Sequence, residues 1–576
     1  MKNNIPLKAM LLLLFSAIIL WSWKRTDGPD KIVYTKPVET RITMCGSFQP
    51  DFLDTTTTYT ARILPGLGNL HYPVTTTSVK AQEFFEQGLR LVYAFNHWEA
   101  IQAFREAIRI DPEFAMGYWG LALAYGPNLN DVNPKDRERI AHESVQKAKA
   151  RMGIISQVEK DLIAAMAARY NGKAYDNRDS LNKAYADAML KLTRIYPDDA
   201  EVQTLCADAI MNTMPWDYWN KDGSPKPETA TAKNVLEHAL KKHPEHPGAH
   251  HLYIHLVEAS PAPELALPSA KFLETAMPGA GHLLHMPTHI YIRTGQYARS
   301  IEWNIKAVQV DEDYLSGSAN PGMYRMGYYP HNIDFISFSS YMEGRSAMGI
   351  QNAMKLAYKG SMITESNPVI AQYYSVEPML AFVRFGKWND ILSLAAPHKD
   401  MVYMNAIWRF ARGIAFVRLN HINQASVELS KLDSLSKQET LKSVYFSFNP
   451  ASDIVQVPLH ILKGELLLQQ NKLSEGVAAL QDAVTAETNL RYMEPPDWKI
   501  PSRHFLGAAL YDAGKFGDAE QVYIEDLKVN RENGWSLLGL QLSQQKQGKK
   551  TEAMATAKRF VKAWKNSDIA LTASRY

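Results

Sequence analysis

Six of the chain's 17 histidines fall between His250 and Arg293, in "HHLYIHLVEASPAPELALPSAKFLETAMPGAGHLLHMPTHIYIR". A neutral imidazole offers a nitrogen lone pair to zinc, copper or iron; a protonated one holds an anion or passes a proton. The spacing is regular. His251, His255 and Glu258 stand at i, i+4 and i+7, one helix face over two turns. His282, His285 and His289 stand at i, i+3 and i+7, again one face. Stripes of this kind on neighbouring helices about 10 Å apart would face one shared space. His331, in "YYPHNIDF", opens the next helical segment and is a candidate third contribution. Three chemistries fit. The first is a zinc, copper or iron site built from His251, His255, Glu258, His282, His285, His289 and His331, with Glu258 either a ligand or the orienter of a ring. The second is a polar groove that holds a peptide or an anionic ligand. The third is histidine buried and hydrogen-bonded between helices, which suits His250. There is no HExxH, phosphate-cradling glycine loop, nucleophile elbow or dinucleotide fingerprint. No catalytic residue is assigned, and the choice between enzyme and binding protein stays open.

The elements that must position these residues have a period. Ala81 to Phe114 reads "AQEFFEQGLRLVYAFNHWEAIQAFREAIRIDPEF". Small residues at Gly88, Ala100 and Ala107, Phe104 between them and Pro112 as a stop make a 34-residue helix-turn-helix unit. It resembles a tetratricopeptide repeat. Ala115 begins another first helix, and weaker units end at Pro197, Pro244 and Pro278. Further units start at Gly281, Val457, Ile500 and Gly534. The resemblance covers about three quarters of the chain and implies an all-α fold, a right-handed α-solenoid with a concave groove. It also implies that positions 2, 5, 9 and 12 of each first helix line that groove. With units starting at Pro247 and Gly281, all six residues of the two stripes take such positions. Trp119, Tyr125, Phe104 and Phe516 read as packing residues, and His97 and His421 as turn residues. The segments "GLRLVYAFNHWEA" and "HMPTHIYIRTG" are also similar to exported bacterial proteins of this repeat type, a likeness that implies no activity.

Met1 to Arg25 carries Lys2 and Lys8, an uncharged run from Ala9 to Trp23, then Lys24 and Arg25. The run suits a signal-peptide core or an interfacial anchor, being short of the roughly 20 residues of a full span. The expected organisation is a signal or anchor over 1–25, an extended linker over 26–78, a histidine-bearing array over 79–350 and a second array over 351–576. The expected place is the periplasm or cell envelope, with membrane contact only through the N-terminal segment. Two cysteines, Cys45 and Cys206, cannot build a disulfide framework or a cysteine zinc site. A net charge of +3 gives no reason to expect a nucleic-acid partner. The expected role is therefore an exported binding or scaffold module that takes a protein or peptide in its groove, with a candidate metal site in that groove. The alternative is a metal-dependent enzyme centred on the same histidines.

Overall fold

The computed structural model describes residues 40–42, 61–131, 137–173, 177–318, 324–365, 367–446 and 448–576. The Met1–Trp23 run and Cys45 lie outside the described residues. No helix among the described residues is long and apolar enough to cross a membrane. Two compact units are present, one over Thr43–Asn332 and one over Ile333–Tyr576 with the strand Thr40–Ile42.

The first unit is a succession of antiparallel helix pairs. Its helices are α1 (Val79–Tyr93), α2 (His97–Ile110), α3 (Ala115–Tyr125), α4 (Glu138–Lys149), α5 (Gln157–Ala167), α6 (Arg178–Ile195) and α7 (Ala200–Met211). They continue as α8 (Pro227–Lys242), α9 (Pro247–Val257), α10 (Leu267–Ala276), α11 (Gly281–His285), α12 (Pro287–Arg293), α13 (Tyr297–Gly317) and α14 (Tyr329–Glu343), the last crossing into the second unit. The stops follow from the sequence. Pro112, Pro197, Pro244 and Pro278 each stand within three residues after the end of a helix, where the missing N–H and fixed φ prevent continuation. The starts are capped: Ser78 Oγ accepts from the Ala81 N–H at 3.3 Å, and Asn96 Oδ1 from the Glu99 N–H at 3.2 Å.

Small residues set how closely the helices meet. A Cβ added at Gly88 of α1 would lie 2.6 Å from the Phe104 ring, and one at Gly120 of α3 would lie 2.4 Å from it. Phe104 is thus wedged between two glycine-faced helices. The second unit repeats the device: Tyr523, in the helix Phe516–Val529, presses on Gly507 and Gly539 of its two neighbours. Phe104, Trp119 and Tyr125 are buried as expected, whereas Phe516 is only half-buried, near the start of its helix. One repeat start also differs. The helix of the unit expected from Val457 begins at Ala451 and carries Pro458 inside it.

Residues 61–78 contain no helix, but they are not loose from the body. They lie along α1, where the Leu64, Tyr72 and Val74 N–H groups donate to the side chains of Gln87, Glu86 and Gln82. Among the described residues the sheet is confined to the second unit: β1 (Thr40–Ile42) is parallel to β2 (Val444–Phe446), which is antiparallel to β3 (Asn449–Pro450).

Candidate metal centre

Each histidine stripe is placed by the start of its helix. Pro247 is the first residue of α9, with the His246 ring accepting from the Ala249 N–H at 3.0 Å. Gly248 lets α9 close on α1, since a Cβ there would lie 2.4 Å from the Tyr93 ring. That approach brings His251 Nδ1 to 2.6 Å from the Tyr93 carbonyl. In the second stripe, Met286 keeps helical angles (φ −51°, ψ −38°) and joins α11 to α12 across Pro287. Pro287 thus makes a joint inside one helical run, and His285 and His289 stay on one face. Gly281 allows α13 to pass close by, because a Cβ there would meet Asp311 Oδ1 at 1.9 Å. α13 in turn supplies Asn304.

The hydrogen bonds fix which ring nitrogens carry protons. His251 Nδ1–H donates to the Tyr93 carbonyl, a group that only accepts. His255 Nδ1–H donates to Glu258 Oε1 at 2.9 Å, and His289 Nδ1–H to Glu258 Oε2 at 2.6 Å. His285 Nδ1–H donates to Asn304 Oδ1 at 2.7 Å. The Asn304 amide is oriented by its own Nδ2, which donates to the Ser300 carbonyl at 2.8 Å, so Oδ1 faces the imidazole. Four rings therefore hold their proton on Nδ1 and turn an Nε2 lone pair inward. Two of these meet: His285 Nε2 and His289 Nε2 are 2.8 Å apart. His251 Nε2 lies 3.2 Å from His282 Nε2, and His255 Nε2 is buried with no hydrogen-bond partner. Opposed lone pairs in a low-dielectric interior repel unless a cation accepts them.

All seven expected residues come together. Glu258, His251, His282, His285 and His289 are 0 % exposed, and His255 and His331 are 1 %. His331, at the start of α14, has its ring centroid 4.8 Å from that of His285. Burial keeps the rings neutral: it pushes His255 and His285 down to about 3 and holds His251, His282 and His289 well below the ordinary histidine value. Neutral imidazole is the ligating form. Burial also corrects the expectation of an open groove, because the cluster is enclosed. Phe95, in the α1–α2 turn with φ +54°, places its ring 4.3, 5.9 and 5.3 Å from those of His251, His255 and His282. Trp216 lies 5.0 Å from His255, and Tyr328 4.5 Å from His282. These three aromatics, Asn304 and the Tyr93 carbonyl escaped the sequence reading. Phe95 sits in a turn, and the others are remote in sequence from the rings they touch.

Of His250, His97, His421, His71 and His504, only His97 lies beside the cluster, with its ring centroid 5.9 Å from that of Phe95. His250 turns away, bonded to Ser269 Oγ and the Pro244 carbonyl, each at 2.8 Å, with its ring on Phe272. His97 is buried as the first residue of α2 rather than solvated in a turn, while His421 is exposed. His71 pairs with Glu86 at 2.6 Å and is itself largely exposed. In the second unit His504 is bonded to Asp526 at 3.1 Å and Arg384 at 3.0 Å, and Glu494 and Trp498 are buried.

No protein-family model matches the chain, and no curated relative does either. The fold is a tetratricopeptide-like helical array. Solved structures that resemble it include the human IFIT1 dimer with m7Gppp-AAAA, at 12% identity over 78% of this chain and 90% of that one, with a TM-score of 0.33. The P58(IPK) TPR domain gives 12% identity over 82% and 99% with a TM-score of 0.20. Yeast Tom70 gives 11% over 76% and 90% with a TM-score of 0.27. Scores in this range carry nothing about ligand or activity, and the repeat architecture rests on the helix pairing described above.

Proposed function

We propose that the first unit is a metal-binding module in which His251, His255, His282, His285, His289 and His331 hold a transition-metal centre and Glu258 orients two of the rings. The observation that carries this reading is the tautomer pattern. Four buried imidazoles are pinned through Nδ1 by groups that accept, so each presents an Nε2 lone pair to the same interior space. A histidine whose outer N–H is held by a carboxylate or carbonyl is the usual form of a ligating histidine. The donor set is nitrogen-rich and free of thiolate, which suits zinc, copper or iron over calcium or magnesium. The N-terminal run supports export, and the body is proposed to act outside the cytoplasm. The helical array would take a protein or peptide partner on its own surface, with the enclosed centre inside it; a small net charge does not by itself exclude a nucleic acid.

The test is equilibrium dialysis of the chelator-stripped full chain against zinc or copper, followed by thermal melting. Retention of metal with a raised midpoint is expected, since ligand binding to the folded state stabilises by mass action. His250→Ala serves as the buried control and His421→Ala as the exposed one, both retaining the metal. A stripped chain that retains no metal and gains no stability would refute the proposal.

A further inference from the structure

We propose that the centre holds two ions, one in each of two histidine trios, an inference that rests on the metal reading above. The first trio is His251, His255 and His282; the second is His285, His289 and His331. Within each, one candidate ligand atom per residue lies within 4.8 Å of the others. The second trio is the first one carried forward along the chain. Each takes two histidines four residues apart on one helical run and a third from the opening turn of a later helix. That third member is His282 of α11 in the first case and His331 of α14 in the second.

The geometry repeats with the register. Ring centroids are separated by 4.8, 4.9 and 6.3 Å in the first trio. In the second they are separated by 4.7, 4.8 and 5.8 Å. Each trio contains one close nitrogen pair, at 3.2 Å in the first and 2.8 Å in the second. With metal–nitrogen bonds of about 2.0–2.1 Å, such pairs subtend roughly 85–105° at an ion, which is ordinary coordination geometry. Six imidazoles are more than one four-coordinate ion accepts, and two trios match two ions that each keep a position for a further ligand. Glu258 serves both trios, accepting from His255 of the first and His289 of the second. The cofactor class is an imidazole-preferring ion, zinc or copper.

The experiment loads the stripped full chain with zinc and, in parallel, with copper(II), dialyses each against a weak chelator and measures metal per chain. Two ions per chain are expected for at least one metal, and the metal that persists at that ratio names the cofactor. His282→Gln and His331→Gln, each confined to one trio, are each expected to bind one. Saturation of the wild-type chain at one ion would overturn the two-ion inference and leave the metal reading standing; no retained metal would overturn both. Two ions that both persist in both variants would place the binding outside the trios and overturn the inference. Should either variant fail to fold, paramagnetic resonance of the copper-loaded wild-type chain decides. A dipole-coupled spectrum from neighbouring ions is expected, and two isolated signals would overturn the inference.

Discussion

Glu258 ties the two histidine stripes together, because its two oxygens receive protons from rings on two different helices. Glu258→Gln keeps the shape but replaces one accepting oxygen with a donating amide. One ring must then give up its Nδ1 proton or lose its partner, and a ring that moves its proton to Nε2 no longer offers a lone pair inward. Metal affinity is expected to fall about 10- to 100-fold with the fold retained, the usual cost of losing an outer-shell partner. Competition against a chelator measures it, and an unchanged affinity would contradict the orienting role. At this scale the sequence was a good guide to faces and a poor guide to cover. The i, i+4 and i+7 spacing of one stripe and the i, i+3 and i+7 spacing of the other placed each trio on one helix face, since helical geometry alone dictates that, while the meeting of the two faces rested on the repeat register. What encloses them came from Phe95, Trp216 and Tyr328, whose proximity depends on tertiary packing. His97 was misread for the same reason: its turn position was legible, and the burial around it was not.

Helix pairs owe their spacing to small residues that face large rings. Gly120→Ala would drive a methyl to 2.4 Å from the Phe104 ring, which Gly88 already hems in from the other side. With no room for the ring to retreat, a loss of about 1–3 kcal/mol is expected, typical of overpacking a tight contact. Denaturant unfolding checks it, and a variant as stable as the parent would show that the α1–α2–α3 packing is looser than described. The repeat was legible because glycine, alanine and proline recur at positions where the backbone needs them. The start at Ala451 was not, because the repeat register fixes where a unit's small residues fall and leaves open how far its first helix extends before them. The α11–α12 joint lay between these cases: Pro287 marks an interruption, and the helical angles of Met286 show that the run continues across it.

Across the whole molecule, each unit hides titratable groups that burial shifts toward their neutral form, Asp208 up to about 6 and His97 down in the first, His504 down and Asp497 up in the second. In the first, burial, aided by the charge of Arg137, pushes His97 down to about 4 from 6.5. Between these values the folded ring is neutral and the unfolded ring charged. The stability it contributes is therefore present above pH 6.5 and lost as pH falls toward 4, at about 1.4 kcal/mol per pH unit. In the second unit, burial raises Asp497 to about 7 from 3.8 and Glu487 to about 7 from 4.5. Their contributions run the other way, present below the unfolded values and lost as pH rises through 7. Asp497→Asn is accordingly expected to raise the thermal midpoint at pH 8 and to bring a smaller gain at pH 5, where only part of the penalty has set in; an equal shift at both would contradict the assignment. The central claim concerns the imidazole cluster, and X-ray absorption at the metal edge of the zinc-loaded full chain tests it most directly. A first shell dominated by nitrogen at about 2.0–2.1 Å, with the outer-shell scattering of imidazole rings, is expected. A shell of oxygen alone, or zinc that leaves on dialysis before it can be measured, would contradict it.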